Sequence, residues 1–108
     1  ASDKILQSMA QIFKKSLRDS DLVARRGEDE FVLLVNGVEG DAAWGTCERL
    51  RLAVERYGWG MIAPNLRMTI SLGLAVRMED EDMDALASTA EIALSQAKET
   101  GRNKVLAG

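Results

Sequence analysis

An acidic turn holds the residues best suited to chemistry in this sequence. Glu28, Asp29 and Glu30 follow directly after Gly27, so three carboxylates stand together where a turn is expected. The sequence contains no histidine and a single cysteine, Cys47. Serine–histidine and cysteine–histidine nucleophile pairs and histidine-ligated metals are therefore excluded. Any catalysis would use carboxylates, lysine, arginine and backbone groups, usually with a hard cation such as Mg²⁺.

Composition and charge are those of an ordinary soluble domain. The chain has 108 residues, 46% of them hydrophobic, which is enough for one core and predicts a single domain over residues 1–108. A formal net charge of -3 provides no basic field, so no nucleic-acid partner is expected. No apolar run approaches the roughly 18 residues of a transmembrane helix, so no membrane contact is expected from this domain. A lone cysteine suits a reducing, cytoplasmic location.

The elements that must position the acidic turn follow from hydrophobic spacing. Three segments repeat apolar residues every three or four positions, which is typical of amphipathic helices. A nearly continuous apolar run after the turn predicts a strand buried on both faces, and the short run before it predicts a hairpin partner. The predicted elements are helix 5–17, strand 21–25, strand 31–35, helix 43–57, strand 67–76, helix 86–97 and strand 104–106.

The resulting αββαβαβ order predicts an α/β (α+β) domain with helices flanking a central, mostly antiparallel sheet. Gly73 lies inside the third strand and indicates a bulge or a close backbone approach. Gly101 follows the last helix and is expected to cap it.

Five motifs, in register, resemble the GGDEF family of diguanylate cyclases. The acidic turn is similar to the family's signature turn, and the other four motifs occur in the family's order around it. Together they span about Asp3 to Leu106 and imply the GGDEF, nucleotidyl-cyclase-like fold. The motifs are Arg25-Arg26-Gly27-Glu28-Asp29-Glu30-Phe31, Arg18-Asp19-Ser20-Asp21, Ser71-Leu72-Gly73-Leu74-Ala75, Ala90-Glu91-Ile92-Ala93-Leu94 followed by Ala97-Lys98, and Gly101-Arg102-Asn103.

The resemblance implies a GTP site at the turn. Asp29 and Glu30 would be the catalytic and metal-binding residues for Mg²⁺, with Asp29 helping to activate the attacking hydroxyl. Lys98 and Arg102 would hold the β- and γ-phosphates, and their spacing of four residues lets them point the same way from one helix end. Read without the family, the two bases are helix-dipole partners. The other nucleotide-binding residues that the family implies are Asp3, Gly27 and Glu28.

Two departures from the family pattern bear on activity. The family domain starts earlier, with a strand and a helix that carry an aspartate metal ligand and a guanine-reading asparagine. This chain begins near the next motif, where Asp3 is expected to accept hydrogen bonds from guanine or, more simply, to cap a helix. Glu28 replaces the second signature glycine. Its charge would repel a phosphate about 4 Å away by roughly 4 kcal/mol at an effective dielectric near 20, so synthesis is expected to be impaired.

The RxxD motif predicts a second ligand site. In the family, these residues form an inhibitory site that binds an intercalated dimer of cyclic di-GMP. Arg18 and Asp21 match the motif, and Arg49 stands at the place of a third family residue in the following helix. Arginine suits this ligand because its planar fork bonds guanine O6 and N7 together and stacks on bases. The simpler alternative is a surface ion pair between Arg18 and Asp21, worth about 0–1 kcal/mol.

These features predict a degenerate GGDEF signalling domain that binds cyclic di-GMP at the arginine site and does not synthesise it. Two alternatives stay open. One is an active diguanylate cyclase, which joins two GTP molecules into cyclic di-GMP and pyrophosphate, seen here as a shortened piece. The other is an interaction or dimerisation module without nucleotide. The expected partners are cyclic di-GMP, GTP, a second copy of the domain and neighbouring sensory or effector domains.

Overall fold

The computed structural model describes residues 2–17, 21–36, 40–77 and 81–108. Helices and strands follow one another in the predicted αββαβαβ order, which confirms the fold class. No helix in these ranges is both long enough and apolar enough to cross a bilayer. The elements are α1 (Ser2–Ser16), β1 (Leu22–Gly27), β2 (Glu30–Asn36), α2 (Gly40–Arg56), a short 3₁₀ helix (Trp59–Met61), β3 (Ser71–Arg77), α3 (Met83–Glu99) and β4 (Val105–Ala107).

The four strands form one mixed sheet in the order β1-β2-β3-β4. Strands β1 and β2 pair antiparallel, whereas β2 with β3 and β3 with β4 pair in parallel. The prediction of a mostly antiparallel sheet is therefore wrong for the described strands. Helix α2 joins β2 to β3 and α3 joins β3 to β4, and a helical crossover brings the chain back to the same end of the sheet. The hairpin is the one connection short enough to pair its strands antiparallel.

Helices cover both faces of the sheet. Phe31, Leu33 and Val35 of β2 pack in one buried cluster with apolar residues of α1 and α2. Val32, which points to the opposite face, packs in a second cluster with α3. The prediction that β2 is buried on both faces is thus confirmed, and the sheet lies between a layer of two helices and a layer of one.

Helix α3 approaches the sheet closely at Gly73. A Cβ atom built on Gly73 would lie 2.0 Å from the Ala90 carbonyl oxygen and 2.6 Å from the Leu94 backbone nitrogen. Both obstructing atoms are backbone and cannot swing aside, so glycine is needed there. The close approach predicted at this position is confirmed. The pairing of β3 with both neighbours runs without a register shift, so no bulge lies at Gly73.

The C-terminal end of α3 has the geometry of a Schellman motif. Gly101 takes a positive φ of 119°, and the Arg102 N–H donates to the Ala97 carbonyl at 2.9 Å. This pattern satisfies a carbonyl that the helix end would leave unpaired. The predicted cap at Gly101 is confirmed. It leaves Lys98 on the last turn of α3 and Arg102 immediately after that turn.

Candidate functional site

The acidic turn joins β1 to β2 and is held by a side chain from β1. Gly27 pairs with Glu30, which leaves Glu28 and Asp29 at the tip. A register shift between Arg25 and Gly27 marks a bulge just before the turn. The guanidinium of Arg25 then reaches forward, donating from Nε to the Gly27 carbonyl at 2.8 Å and from Nη2 to the Glu28 carbonyl at 2.9 Å. Arg25 therefore fixes the backbone of the turn.

Two bases from the end of α3 meet the acidic turn. Lys98 Nζ lies 3.2 Å from Glu30 Oε1, and Arg102 Nη1 lies 3.0 Å from Glu30 Oε2. The same Arg102 nitrogen lies 3.7 Å from Asp29 Oδ1. The structure thus brings together the four residues that the sequence assigned to catalysis, metal binding and phosphate binding.

Glu30 is the most constrained carboxylate of this group. The hydrogen bond from Arg102 holds the pKa of Glu30 below its usual value of 4.5. Partial burial acts in the opposite direction, and the hydrogen bond and charge of Lys98 add to the lowering. A Cβ on Gly27 would lie 2.6 Å from Glu30 Oε1, so the glycine leaves room for this carboxylate. Glu30 is therefore ionised at neutral pH and kept in one place.

The donor set of the turn suits a magnesium ion. Asp29 and Glu30 supply hard carboxylate oxygens, and Mg²⁺ is commonly bound by one or two carboxylates together with water and substrate phosphates. Within the described ranges, no group of three or more His, Cys, Asp or Glu side chains could hold a metal ion. A cation at Asp29 and Glu30 would therefore depend on water and phosphate for its other ligands.

Glu28 borders a hollow of about 360 Å³ between α1 and the hairpin. Its walls are largely apolar, and Glu28 and Arg25 are its charged members. Among the described residues outside glycine, positive φ occurs at Asn65, Arg102 and Asn103, so Glu28 stands in the turn without backbone strain. The apolar wall consists of Ile5, Leu6, Met9, Ala10, Phe13, Val23 and Phe31.

Asp3 is not joined to the acidic cluster. It lies in the first turn of α1 and its side chain is exposed. No hydrogen bond or ion pair links Asp3 to another residue in the described part of the chain. Its predicted contact with guanine stays a prediction, and its position also favours the simpler interpretation of an acidic residue at a helix N-terminus.

The arginine site is described in part. Arg18 lies outside the described residues, whereas Asp21 is buried just before β1 with 9% of its surface exposed. Arg49 is exposed on α2 and borders a cleft of about 380 Å³ between α1 and α2. Lys15 and Arg56 line the same cleft, which makes it basic. The structure therefore places Arg49 beside the end of α1, from which the chain leads to Arg18.

A polar network behind the turn contains residues that sequence reasoning did not assign to a site. Asn103 contacts Arg51 and Glu55 of α2 through its side chain and Ser71 of β3 through its backbone N–H. The Ser71 N–H in turn donates to the Asp29 carbonyl at 2.9 Å. The sequence signal for this network was the Gly101-Arg102-Asn103 segment after α3. Glycine and asparagine both adopt left-handed backbone readily, so the segment indicated a turn but not the contacts of Asn103.

Comparison with known proteins identifies the family. A sequence model of the family described as "Diguanylate cyclase, GGDEF domain" matches residues 1–104. The chain belongs to the GGDEF family. Characterised relatives include Diguanylate cyclase A of Treponema denticola, 33% identical over 97% of this chain, and Diguanylate cyclase DgcM of Escherichia coli K12, 36% identical over 97%. The chain spans 29% and 25% of those two proteins, so it is similar to one part of each.

Solved structures agree on the GGDEF fold. The coiled coil and GGDEF domain of DgcB from Caulobacter crescentus, in complex with c-di-GMP, matches with a TM-score of 0.75 and 22% identity, over 98% of this chain and 57% of that one. The GGDEF domain of DgcB alone, also in complex with c-di-GMP, matches with a TM-score of 0.73, over 97% of this chain and 63% of that one. The predicted resemblance is confirmed, while the roles of individual residues in this GGDEF domain stay predictions.

Proposed function

We propose that this GGDEF domain binds cyclic di-GMP through Arg18, Asp21 and Arg49 and acts as a signalling domain that does not itself synthesise the nucleotide. The observation that supports the proposal is the position of Arg49 on a basic cleft beside the end of α1. In the sequence, the RxxD motif begins two residues after the last residue of that helix.

The chemistry of the cleft suits an anionic dinucleotide. Arg49 lies with Lys15 and Arg56 around a volume of about 380 Å³, within the range of small-molecule sites. Arginine bonds the guanine O6 and N7 edge and also pairs with phosphate. Asp21 is buried and does not line the cleft, but its carboxylate is of the kind that accepts hydrogen bonds from guanine N–H groups. The two solved DgcB structures, which share the fold, contain c-di-GMP.

Calorimetric titration of cyclic di-GMP tests this site. We expect saturable binding to the unsubstituted chain and a loss of about thirtyfold in Arg18→Ala and in Arg49→Ala, the factor for a hot-spot contact of about 2 kcal/mol. Arg67→Ala is the matched control, because Arg67 is exposed and does not line the cleft. The site is disproved if the chain gives no heat, or if all three variants bind alike.

The proposed lack of synthesis rests on Glu28. It adds a third carboxylate to a turn that already holds Asp29 and Glu30, and Lys98 and Arg102 contact Glu30 and Asp29 rather than Glu28. A GTP triphosphate approaching the tip of the turn would be repelled by the charge of Glu28. Incubation of the protein that contains this domain with GTP and Mg²⁺ should yield no cyclic di-GMP. The Glu28→Gly variant should form cyclic di-GMP faster. Turnover equal in the two proteins would contradict this role for Glu28.

An active diguanylate cyclase is the second candidate, favoured by the assembly of Asp29, Glu30, Lys98 and Arg102 at one end of the sheet. In that reaction, a 3′-hydroxyl attacks the α-phosphate of a second GTP and pyrophosphate leaves. Bound Mg²⁺ would offset phosphate charge. Lys98 and Arg102 would hold the terminal phosphates, and Asp29 and Glu30 would hold the cation. Formation of cyclic di-GMP by the protein with Glu28 in place would establish this candidate.

The proposed function also sets the expected partners. Synthesis needs two GTP molecules held by facing domains, so an active form would work as a homodimer. A receptor form would pass occupancy of the arginine site to neighbouring sensory or effector domains. Both roles use cytoplasmic guanine nucleotides, and we place the domain in that compartment. Light scattering with and without cyclic di-GMP measures whether the ligand changes the oligomeric state.

A further inference from the structure

Three successive residues after α3 adopt left-handed backbone. Gly101 has a φ of 119°, Arg102 of 60° and Asn103 of 47°. Gly101 alone completes the helix cap, because the Schellman motif needs a left-handed residue at that one position. Left-handed backbone is unfavourable for arginine and is held only where the surroundings impose it. Helix capping therefore does not account for the conformation of Arg102 and Asn103.

Asn103 is tied down at three atoms by two elements of the fold. Its Oδ1 accepts from Arg51 Nη1 at 2.9 Å, and its Nδ2 donates to Glu55 Oε2 at 2.6 Å. Its backbone N–H donates to Ser71 Oγ at 3.1 Å. Ser71 is buried, with 1% of its surface exposed, so this contact anchors the loop to the sheet. Asparagine satisfies the arrangement because its amide offers a donor and an acceptor side by side.

Arg51 is itself held in one orientation. Its Nε lies 3.0 Å and 3.1 Å from the two carboxylate oxygens of Glu48, one turn earlier on α2, and its Nη2 also contacts that carboxylate. The side chain is 15% exposed. The hydrogen bonds that Arg51 donates to Glu48 raise the pKa of Arg51, with burial opposing them, so the guanidinium stays charged. With Glu48 occupying Nε and Nη2, the remaining Nη1 is presented to Asn103.

We infer that Arg51, Glu55 and Asn103 are positioning residues, which hold the left-handed loop so that Arg102 reaches the acidic turn. Arg102 lies between Gly101, which caps the helix, and Asn103, which the network holds in place. Its Nη1 lies 3.0 Å from Glu30 and 3.7 Å from Asp29. This inference deepens the second candidate function, since it rests on Arg102 as a phosphate-binding group of the turn.

The network also fixes the opposite side of the same site. Ser71 accepts from the Asn103 N–H and donates its own N–H to the Asp29 carbonyl at 2.9 Å. One buried residue at the start of β3 therefore touches both the loop that carries Arg102 and the turn that carries Asp29. This shared contact links the backbone of the loop to the backbone of the turn.

The test compares the same substitution at two left-handed asparagines. Asn103→Gly keeps the backbone conformation accessible but removes the amide, whereas Asn65→Gly makes the same change at φ 63°, away from the network. Arg51→Ala removes the side chain that donates to Asn103. Arg51→Lys keeps the positive charge but lacks the planar guanidinium with its several N–H donors. Melting curves establish that each variant folds. Nuclear Overhauser contacts between the Arg102 guanidinium and Glu30 then report the positioning directly, without any ligand.

We expect those contacts to persist in Asn65→Gly, to weaken in Arg51→Lys and to disappear in Asn103→Gly and Arg51→Ala. Binding of GTP with Mg²⁺ should fall in the last two variants about as much as in Arg102→Ala, by about tenfold to a hundredfold. Intact Arg102–Glu30 contacts in a folded Asn103→Gly variant would overturn the inference. Absence of GTP binding in the unsubstituted protein would instead refute the proposed role of Arg102, while the spectroscopic contacts still decide the positioning.

Discussion

Arg102 Nη1 donates to Glu30 Oε2 at 3.0 Å across a sequence separation of 72 residues. This contact joins the loop after α3 to the hairpin of β1 and β2, two segments that are far apart in the sequence. It is possible because β2 and β3 are neighbours in the sheet and α3 packs on both of them. The candidate site is therefore assembled by tertiary structure.

Glu30 should give the domain an acid-dependent stability. Because Arg102 lowers its pKa below 4.5, the unfolded chain takes up the proton first as the pH falls. The stabilisation is therefore complete above the unfolded pKa and is lost as the pH falls through the lower, folded value. Urea unfolding at about pH 7 and about pH 3 should show Glu30→Gln destabilised relative to the original at the higher pH and less so at the lower.

The cycle formed by Glu30→Gln, Arg102→Ala and the double variant serves as the control. Residues in direct contact give non-additive changes in the free energy of unfolding, whereas independent residues give additive ones. Strict additivity at about pH 7 would mean that the pair contributes nothing, and the pH dependence of Glu30→Gln would then need another source.

Gly73→Ala should destabilise the domain by about 3 kcal/mol, the upper part of the range for overpacked sites. The new methyl group would meet the backbone of α3 at Ala90 and Leu94, which can yield only if the whole helix moves. Gly45→Ala is the matched control, because a Cβ there meets no atom within 4 Å inside α2. It should stabilise by about 1 kcal/mol through helix propensity. Chemical denaturation of both variants measures the difference, and equal stabilities would refute the close approach.

Arg25→Ala should loosen the acidic turn. It removes the two hydrogen bonds from Arg25 to the carbonyls of Gly27 and Glu28. At about 0.5–1.5 kcal/mol each, their loss should speed amide exchange of the turn by about tenfold. Arg26→Ala is the comparison, because Arg26 makes an exposed ion pair with Glu91, worth about 0–1 kcal/mol. Similar hydrogen exchange in the two variants would show that Arg25 does not hold the turn.

Cys47 should resist alkylation in the folded domain. It is fully buried, and burial raises the pKa of its thiol to about 12, with the charges of Asp21 and Glu48 adding to the shift. The thiolate, the reactive form, is therefore scarce at neutral pH. Labelling with iodoacetamide should proceed only as fast as the domain unfolds. Because the folded pKa is raised from 9.0, stability should also fall as the pH rises above 9.0 towards about 12.

Hydrophobic spacing predicted which elements exist but not how strands pair. Alternation from Met68 to Leu74 suggested a strand over 67–76, whereas β3 begins at Ser71. Ile70 is fully buried, yet it lies before Ser71, the first residue of β3 that pairs with β2. The apolar alternation therefore predicted burial correctly but placed the start of the strand too early, because a side chain can be buried without its backbone pairing in a sheet. The direction of pairing depended on which connections were helical, and the predicted order already contained that information.

The members of the candidate site were predictable where a motif resembled the family and not where geometry decides. The resemblance implied roles for Asp29, Glu30, Lys98 and Arg102, and packing brings these four residues together. Arg25 was interpreted as a strand residue, which it is, but its reach to the carbonyls of the turn depends on the bulge behind it. Nothing in the periodicity of β1 signals that bulge.

Glu30 engages the donors that would take phosphate. Lys98 and Arg102 both bind its carboxylate, so a phosphate arriving alone would compete with Glu30 for those two bases. A cation arriving alone must compete with two bases for the same oxygens. In the candidate GTP site proposed above, a cation at Glu30 would release the bases for phosphate, and phosphate on the bases would release Glu30 for the cation. Nucleotide and metal would then bind with positive coupling, each raising the affinity for the other.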